Sequence, residues 1–228
     1  METTVHLPEE AGQAPLVVLI PGGGWHSADP SQLNGLARHL AGAGNVAVTA
    51  RIRAFVDGVS YPLPLDDISC AIRQGRREAL ESGIDVGPVV LVGHSSGAHL
   101  SALVALGTDE FACEEEIDAM IGLAGAYDVT RLPALAVLLF GVSPEDDPDL
   151  WERGNPLLQA SLRPEMPVLL LHGDADPLLP ISFSEDFAEA LEDAGHTVDV
   201  TVIPGADHVE IFSAAVVGDL IDAWIDHL

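Results

Sequence analysis

The chain has 228 residues, with 36 acidic side chains against nine basic ones, all of them arginine, and a formal net charge of −27 at pH 7. A surface this acidic repels nucleic acids and anionic membranes, so both are excluded as partners. Hydrophobic residues make up 48% of the chain, which is enough to bury a core and excludes global disorder. We expect a single domain that covers residues 1–228.

Short apolar runs alternate with longer periodic stretches through nearly the whole sequence. The runs predict strands at 3–7, 16–20, 46–51, 89–92, 119–123, 168–171 and 198–203. The stretches predict helices at 31–40, 65–80, 98–106, 182–194 and 211–225. This order predicts an α/β fold, with a mostly parallel sheet of about seven strands and helices on both faces. Residues 127–164 are rich in proline and long for a connection, so they predict a small lid or pocket wall.

The acidity has two open explanations. The first is adaptation to a salt-rich cell interior, because salt screens the repulsion between like charges. The second is a high-GC genome that encodes little lysine. The first fifteen residues lack the basic start and apolar core of a signal peptide, and no apolar run reaches the length of a membrane span. We therefore expect a cytoplasmic protein. Cys70 and Cys113 fit neither a metal site nor a disulfide framework, and Cys70 lies in a helical pattern that predicts a core position.

Residues 89–106 read VVLVGHSSGAHLSALVAL, and the predicted strand runs directly into Gly93-His94-Ser95-Ser96-Gly97. A serine between glycines, in a turn from a buried strand to a helix, is the nucleophile elbow of the α/β-hydrolases. The turn is so tight that the serine backbone is strained and its neighbours must be small. Ser95 is thus a candidate nucleophile, and a Gly/Ser-rich turn without a chemical role is the alternative.

An activated serine needs a base, and the base needs a group that orients it. In this fold the partners follow in the order Ser, acid, His, on loops after later strands. Of nine histidines, His208 fits as the base because it follows the strand at 198–203. Asp176 follows the strand at 168–171 and is favoured as the acid over Asp174, while Asp207 is interpreted as a loop residue.

A second glycine-rich loop, Pro21-Gly22-Gly23-Gly24-Trp25, follows the buried strand at 16–20. Such a backbone can approach another group closely and leave N–H groups free to donate. A flexible loop is the alternative. A phosphate-binding loop is excluded, because neither G-K-[ST] nor G-x-G-x-x-G follows.

With these motifs the chain resembles the esterase- and lipase-like branch of the α/β-hydrolases, and it is similar to bacterial carboxylesterases and kynurenine formamidases. The resemblance spans about residues 5–212 and is carried by the glycine loop, the elbow, the tyrosine-proline stretch at 61–67, the GAYD motif at 125–128 and the loops at 172–180 and 205–208. It implies a catalytic triad of Ser95, Asp176 and His208. It also implies an oxyanion hole formed by the N–H groups of Gly23, Gly24 and Ser96. Trp25 and Tyr127 are the substrate contacts that it implies.

The resemblance has two departures. Pro21 stands where the family usually has histidine, and proline has no N–H, so the hydrogen bonds that support the oxyanion loop must differ. The family's first edge strand is expected to be missing, and the short lid at 127–164 is expected after the sixth strand.

The predicted function is hydrolysis of small, short-acyl carboxylic esters through an acyl-enzyme intermediate. This chemistry requires no metal and no organic cofactor. The expected partner is a small ester or formamide, and the chain is compatible with a monomer or a homodimer. The alternatives are arylformamidase activity, peptidase activity, and a non-catalytic binding protein on the same fold.

Overall fold

One sheet of seven strands runs through the computed structural model, which describes residues 2–9, 12–107 and 115–228. The strands are β1 (Thr3–His6), β2 (Gln13–Ile20), β3 (Val46–Ala50), β4 (Asp85–His94), β5 (Ala119–Leu123), β6 (Pro167–Gly173) and β7 (Thr197–Ile203). They lie in the order β1-β3-β2-β4-β5-β6-β7. β1 is antiparallel to β3 and the other neighbouring pairs are parallel, so the predicted mostly parallel sheet is confirmed.

The strand sequences explain why the sheet is buried on both faces. β3 and β5 are buried at every position. In β2, Leu16, Val18 and Ile20 belong to one core, while Val17 and Leu19 belong to the other. Near-continuous apolar runs of this kind suit parallel strands that are covered by helices on both sides.

Eight α-helices lie within the described residues. They are α1 (Asn34–Gly42), α2 (Leu63–Glu81), α3 (Ser96–Leu106), α4 (Pro133–Phe140), α5 (Pro148–Arg153), α6 (Pro156–Gln159), α7 (Ser182–Asp193) and α8 (Asp219–Ile225). α1 and α8 pack into the core that holds Val17, whereas α2, α3 and α7 pack into the core that holds Leu16. Helices on both faces are therefore confirmed.

The C-terminal stretch 211–225 is predicted as one continuous helix, but the structure divides it into shorter helical pieces. A 3-10 turn at Glu210–Phe212 and a π-helical turn at Ala214–Gly218 precede α8. Ser213 between them is extended, with ψ of 131°, which interrupts the helix. The apolar pattern still predicts the buried face correctly, because Ile211, Val217 and Ile221 all lie in the same core.

The segment 127–164 connects β5 to β6 and contains α4, α5 and α6. It follows the fifth strand, since only four strands precede β5 in the described residues, so its predicted place after the sixth strand is wrong. Ala136, Phe140 and Trp151 are buried in the core, and the ring of Phe140 lies 5.6 Å from that of Tyr61 and 4.6 Å from that of Trp151. The segment is a packed wall, and its action as a lid stays a prediction.

Two smaller expectations concern the cysteines and the membrane. Cys70 is half-buried on α2 rather than in the core, and Cys113 lies outside the described residues. Among the helices that the structure describes, none combines the length and the apolar character needed to cross a bilayer.

Candidate active site

The chain turns from β4 into α3 at Ser95. This residue has φ of 53° and ψ of −121°, a conformation that costs a non-glycine residue about 1–3 kcal/mol and persists where surrounding contacts hold it. The N–H of Ser95 donates to the carbonyl of Leu123 at 2.9 Å, and the carbonyl of Ser95 accepts from the N–H of His99. These bonds hold the serine, which is partly exposed, at the carboxyl edge of the sheet.

The two glycines of the elbow are required by close backbone packing. A Cβ at Gly93 would lie 2.4 Å from the Cα of Ala98, and a Cβ at Gly97 would lie 2.4 Å from the carbonyl oxygen of Ile20. The opposing atoms are backbone atoms, which cannot turn away as a flexible side chain does. The ends of β2 and β4 therefore meet the start of α3 with no side chain between them.

The candidate acid and base lie on the loops that follow β6 and β7. These strands are parallel neighbours, so their following loops lie at the same edge of the sheet as Ser95. Nδ1 of His208 donates to Oδ2 of Asp176 at 2.6 Å, and the two side chains are only 9% and 1% exposed. A neutral imidazole that donates from Nδ1 has its lone pair on Nε2, as a general base requires.

The surroundings of Asp176 keep its carboxylate ionised. Burial raises the pKa of this group, but the N–H of Leu179, the imidazole of His208 and the N–H of Leu178 together hold the pKa below its ordinary value. Both backbone N–H groups donate to Oδ1, at 2.9 and 2.8 Å. His172 fixes the same loop, because its Nε2 donates to the carbonyl of Leu179 at 2.9 Å.

Asp174, the alternative acid, has a different environment. It is exposed, and its Oδ1 accepts the N–H of Gly205 at 2.6 Å, which connects the two loops. Asp207 accepts N–H groups of the turn that follows His208. Of the two candidate acids, the structure thus places Asp176 against the imidazole.

His94, the residue before the candidate nucleophile, holds the loop of the candidate base. Its Nε2 donates to the carbonyl of His208 at 2.8 Å, and its ring centroid lies 4.8 Å from that of His208 and 4.6 Å from that of Phe212. Burial, together with repulsion from a protonated His208, lowers the pKa of His94 to about 4. His94 is therefore neutral at physiological pH.

The glycine-rich loop lies beside Ser95, since a Cβ at Gly22 would be 2.9 Å from the Cβ of Ser95. Three successive residues of the loop have positive φ, namely Gly23 at 147°, Gly24 at 61° and Trp25 at 57°. Successive N–H groups in turn conformations of this kind form concavities that bind anions. The N–H of Ser96 lies in the first turn of α3, where N–H groups have no acceptor within the helix.

Two predicted substrate contacts are buried. Tyr127 is 0% exposed and stacks on Phe187 with ring centroids 4.2 Å apart. Its hydroxyl occupies the space left open by Gly122 and Gly125, where a Cβ would overlap it. Tyr127 therefore has no surface with which to contact a substrate in this structure, and that prediction is corrected. Trp25 is 4% exposed, so most of its indole is packed as well.

A small cavity lies beside the elbow, between the glycine-rich loop, residues 52–64 and one residue of the segment 127–164. Trp25, Ser96, Leu100 and Leu139 contribute to its wall. Its volume is about 10 Å³, which is about the space of one water molecule. Leu100 and Leu139 are not among the residues predicted from the sequence. Leu100 was within reach, because it lies one helical turn after Ser96 and faces the same side, whereas nothing local in the sequence indicates Leu139.

The order of strands, the elbow after β4 and the later loops that carry an acid and a histidine define the α/β-hydrolase fold. Solved structures agree. The chain superposes on a carbohydrate esterase from gut microbiota with a TM-score of 0.83 and 21% identity, covering 98% of this chain and 90% of the other. It superposes on an esterase from Thermogutta terrifontis with a TM-score of 0.80 and 25% identity, covering 99% and 88%.

Residues 4–191 match the BD-FAE family, and the chain belongs to it. Esterase LipQ of Mycobacterium tuberculosis is 28% identical over 221 residues, covering 90% of this chain and 52% of the relative. The isoprenylcysteine alpha-carbonyl methylesterase ICME of Arabidopsis thaliana is 26% identical over 224 residues, covering 88% and 52%. The chain spans about half the length of these curated relatives.

The buried histidines make the stability of the protein depend on pH. Burial lowers the pKa of His94 and of His99 to about 4 from an ordinary 6.5. Between these values the unfolded chain binds more protons than the folded chain. The free energy of unfolding should therefore fall as pH falls from about 6.5 to 4, by up to about 1.4 kcal/mol per pH unit for each histidine.

Urea unfolding at several pH values measures this slope. The variant His99→Gln should reduce the slope by the share of one histidine, while His26→Gln, at an exposed position, should leave it unchanged. An identical slope in wild type and His99→Gln would contradict the account.

Proposed function

We propose that the chain hydrolyses small carboxylic esters with short acyl groups, with Ser95 as nucleophile, His208 as base and Asp176 as the group that orients the base. The observation that carries this proposal is the 2.6 Å hydrogen bond from His208 Nδ1 to Asp176 Oδ2, at the sheet edge that also carries the strained Ser95. The names of the esterases LipQ and LipC, both of Mycobacterium tuberculosis, support the reaction class.

The proposed reaction begins when Nε2 of His208 takes the hydroxyl proton of Ser95. The serine oxygen attacks the ester carbonyl, while the charge of Asp176 stabilises the imidazolium that forms. His208 then gives the proton to the alcohol as it leaves, and the acyl group stays on Ser95. Water, activated by the same histidine, attacks the acyl-enzyme and releases the acid.

The carbonyl oxygen becomes negative during each attack and needs hydrogen-bond donors. The N–H groups of Gly23, Gly24 and Ser96 are the proposed donors. Removal of one such donor in other hydrolases costs about 3 kcal/mol of transition-state stabilisation, because the donors are fixed before the charge develops. The positive φ values at residues 23 and 24 support this role.

The short acyl preference is inferred from the small cavity beside the elbow. Ser96, which follows the nucleophile, contributes to its wall, and so do Trp25, Leu100 and Leu139. With a volume of about 10 Å³, the cavity has room for little more than a methyl group. The Thermogutta terrifontis esterase was solved with propionate bound, which is a short acid of the size this proposal requires.

Removal of the nucleophile tests the proposed function. We expect wild type to hydrolyse p-nitrophenyl acetate faster than the butyrate and octanoate, and Ser95→Ala to lose about 10⁶-fold in kcat, since the serine oxygen forms the covalent bond. Circular dichroism checks that Ser95→Ala is folded. Turnover that survives in Ser95→Ala would refute the proposal, and turnover of N-formyl aryl amines in place of esters would indicate a formamidase.

Truncation of Leu139 tests the acyl cavity. Leu139 is 3% exposed, whereas Leu135 on the same helix is 47% exposed and serves as the matched control. Leu139→Ala should enlarge the cavity and raise the butyrate-to-acetate ratio of kcat/KM by about tenfold, because each methylene that a pocket accepts is worth about 1–3 kcal/mol. An unchanged ratio in Leu139→Ala, or an equal change in Leu135→Ala, would exclude this cavity as the acyl site.

A further inference from the structure

Two consecutive hydrogen bonds cross the chain from the glycine-rich loop to the segment 127–164. Nε1 of Trp25 donates to Nδ1 of His99 at 3.3 Å, and Nε2 of His99 donates to the carbonyl of Gly154 at 2.8 Å. The rings of Trp25 and His99 meet edge to face, with centroids 5.1 Å apart and an interplanar angle of 84°. The N–H of His99 bonds to the carbonyl of Ser95, so the pair is attached directly to the nucleophile turn.

One state of His99 satisfies both bonds. The indole N–H of Trp25 requires an unprotonated Nδ1, and the carbonyl of Gly154 requires a proton on Nε2, which is the neutral Nε2-protonated tautomer. A second proton on Nδ1 would face the indole N–H and break the first bond. Full burial keeps the ring neutral, because it lowers the pKa of His99 to about 4.

The backbone of Trp25 needs such a contact. Its φ of 57° is rare for a residue with a large side chain, and it persists where surrounding structure holds it. Pro21, at the start of the loop, has no N–H to donate. The carbonyl of Trp25 accepts the N–H of Phe55 at 3.1 Å, so both the backbone and the side chain of Trp25 are held from outside the loop.

We propose that Trp25 and His99 are positioning residues, and that their hydrogen bond holds the backbone of the glycine-rich loop in the conformation that directs its N–H groups at the developing oxyanion. This inference rests on the proposed function and assigns a role to the buried indole. Besides its place in the wall of the acyl cavity, Trp25 acts on the reaction through the N–H groups of Gly23 and Gly24.

Removal of the indole N–H is the first test. Trp25→Phe keeps an aromatic ring but cannot donate to His99. The loop donors meet the carbonyl oxygen most strongly in the transition state, so kcat for p-nitrophenyl acetate should fall about tenfold while KM stays within about twofold. A change confined to KM would overturn the inference, because it would indicate that Trp25 acts only as part of the cavity wall.

Two substitutions at His99 distinguish its hydrogen bond to Trp25 from its hydrogen bond to Gly154. His99→Asn keeps an oxygen near the position of Nδ1, so it retains an acceptor for Trp25, and kcat should stay within about threefold of wild type. His99→Gln places its amide nearer the position of Nε2 and loses that acceptor, so kcat should fall about tenfold. In the double variant Trp25→Phe/His99→Gln, kcat should fall no further than in either single variant, because both substitutions remove the same hydrogen bond. Equal losses in His99→Asn and His99→Gln, or fully additive losses, would overturn the inference.

Trp151 provides the matched control. It is 3% exposed, comparable to Trp25, and its Nε1 donates to the carbonyl of Val142 at 3.1 Å within the segment 127–164. Trp151→Phe should lower the melting temperature about as much as Trp25→Phe but leave kcat unchanged. Equal kcat losses in the two variants would reduce the role of Trp25 to ordinary core packing.

Failure of the inference can be told apart from failure of the proposed function. Wild type and Ser95→Ala are assayed in parallel, and absence of Ser95-dependent turnover in wild type would refute the function. Backbone hydrogen exchange over residues 22–26 then decides the inference without activity. Faster exchange in Trp25→Phe than in Trp151→Phe supports it, and equal exchange in the two variants overturns it.

Discussion

The hydrogen bond between Nδ1 of His208 and Oδ2 of Asp176 joins the two loops on which the site depends. It measures 2.6 Å and is almost fully shielded from water. A carboxylate in such a place is costly unless its oxygens are satisfied. Asp176 meets this condition, because two backbone N–H groups occupy Oδ1 and the imidazole occupies Oδ2. The bond therefore fixes the tautomer of His208 and the position of the loop that carries Asp176 together.

Two neutral histidines support the loops that this bond joins, and a third supports the glycine-rich loop. His172 holds the carbonyl of Leu179 in the acid loop, and His94 holds the carbonyl of His208 in the base loop. His99 connects the glycine-rich loop to the segment 127–164. Burial lowers the pKa of all three, because a charged ring would have to be removed from water. The rings of His99 and His172 each donate from Nε2 and accept at Nδ1, which a protonated ring cannot do.

Much of the fold could be predicted from sequence, because the determining signals are local. Apolar runs of five residues indicate buried parallel strands, and the rule that parallel strands place their following loops at one edge brings residues 95, 176 and 208 to that edge. The preference for Asp176 over Asp174 came from the motif, and the structure supplies the physical basis: Asp174 accepts the N–H of Gly205, whereas Asp176 accepts from His208.

What sequence could not predict depends on long-range packing. The resemblance implied that Trp25 and Tyr127 contact the substrate, but the indole of Trp25 bonds to a histidine 74 positions away, and the ring of Tyr127 fills space left by two glycines. The cavity wall at Leu139 depends on how α4 packs against the glycine-rich loop, and periodicity carries no information on that. Ser213 interrupts the closing helix in a stretch whose apolar pattern is continuous.

The central claim is that Asp176 orients His208 as the base, and a comparison of two aspartates in one loop tests it most directly. The rate of acetyl ester hydrolysis is measured for Asp176→Asn and Asp174→Asn. An asparagine at 176 donates an N–H to the imidazole and favours the wrong tautomer, so kcat should fall about 10⁴-fold, while Asp174→Asn should stay within a few-fold of wild type. Comparable losses in both variants, or near-wild-type turnover in Asp176→Asn, would contradict the account.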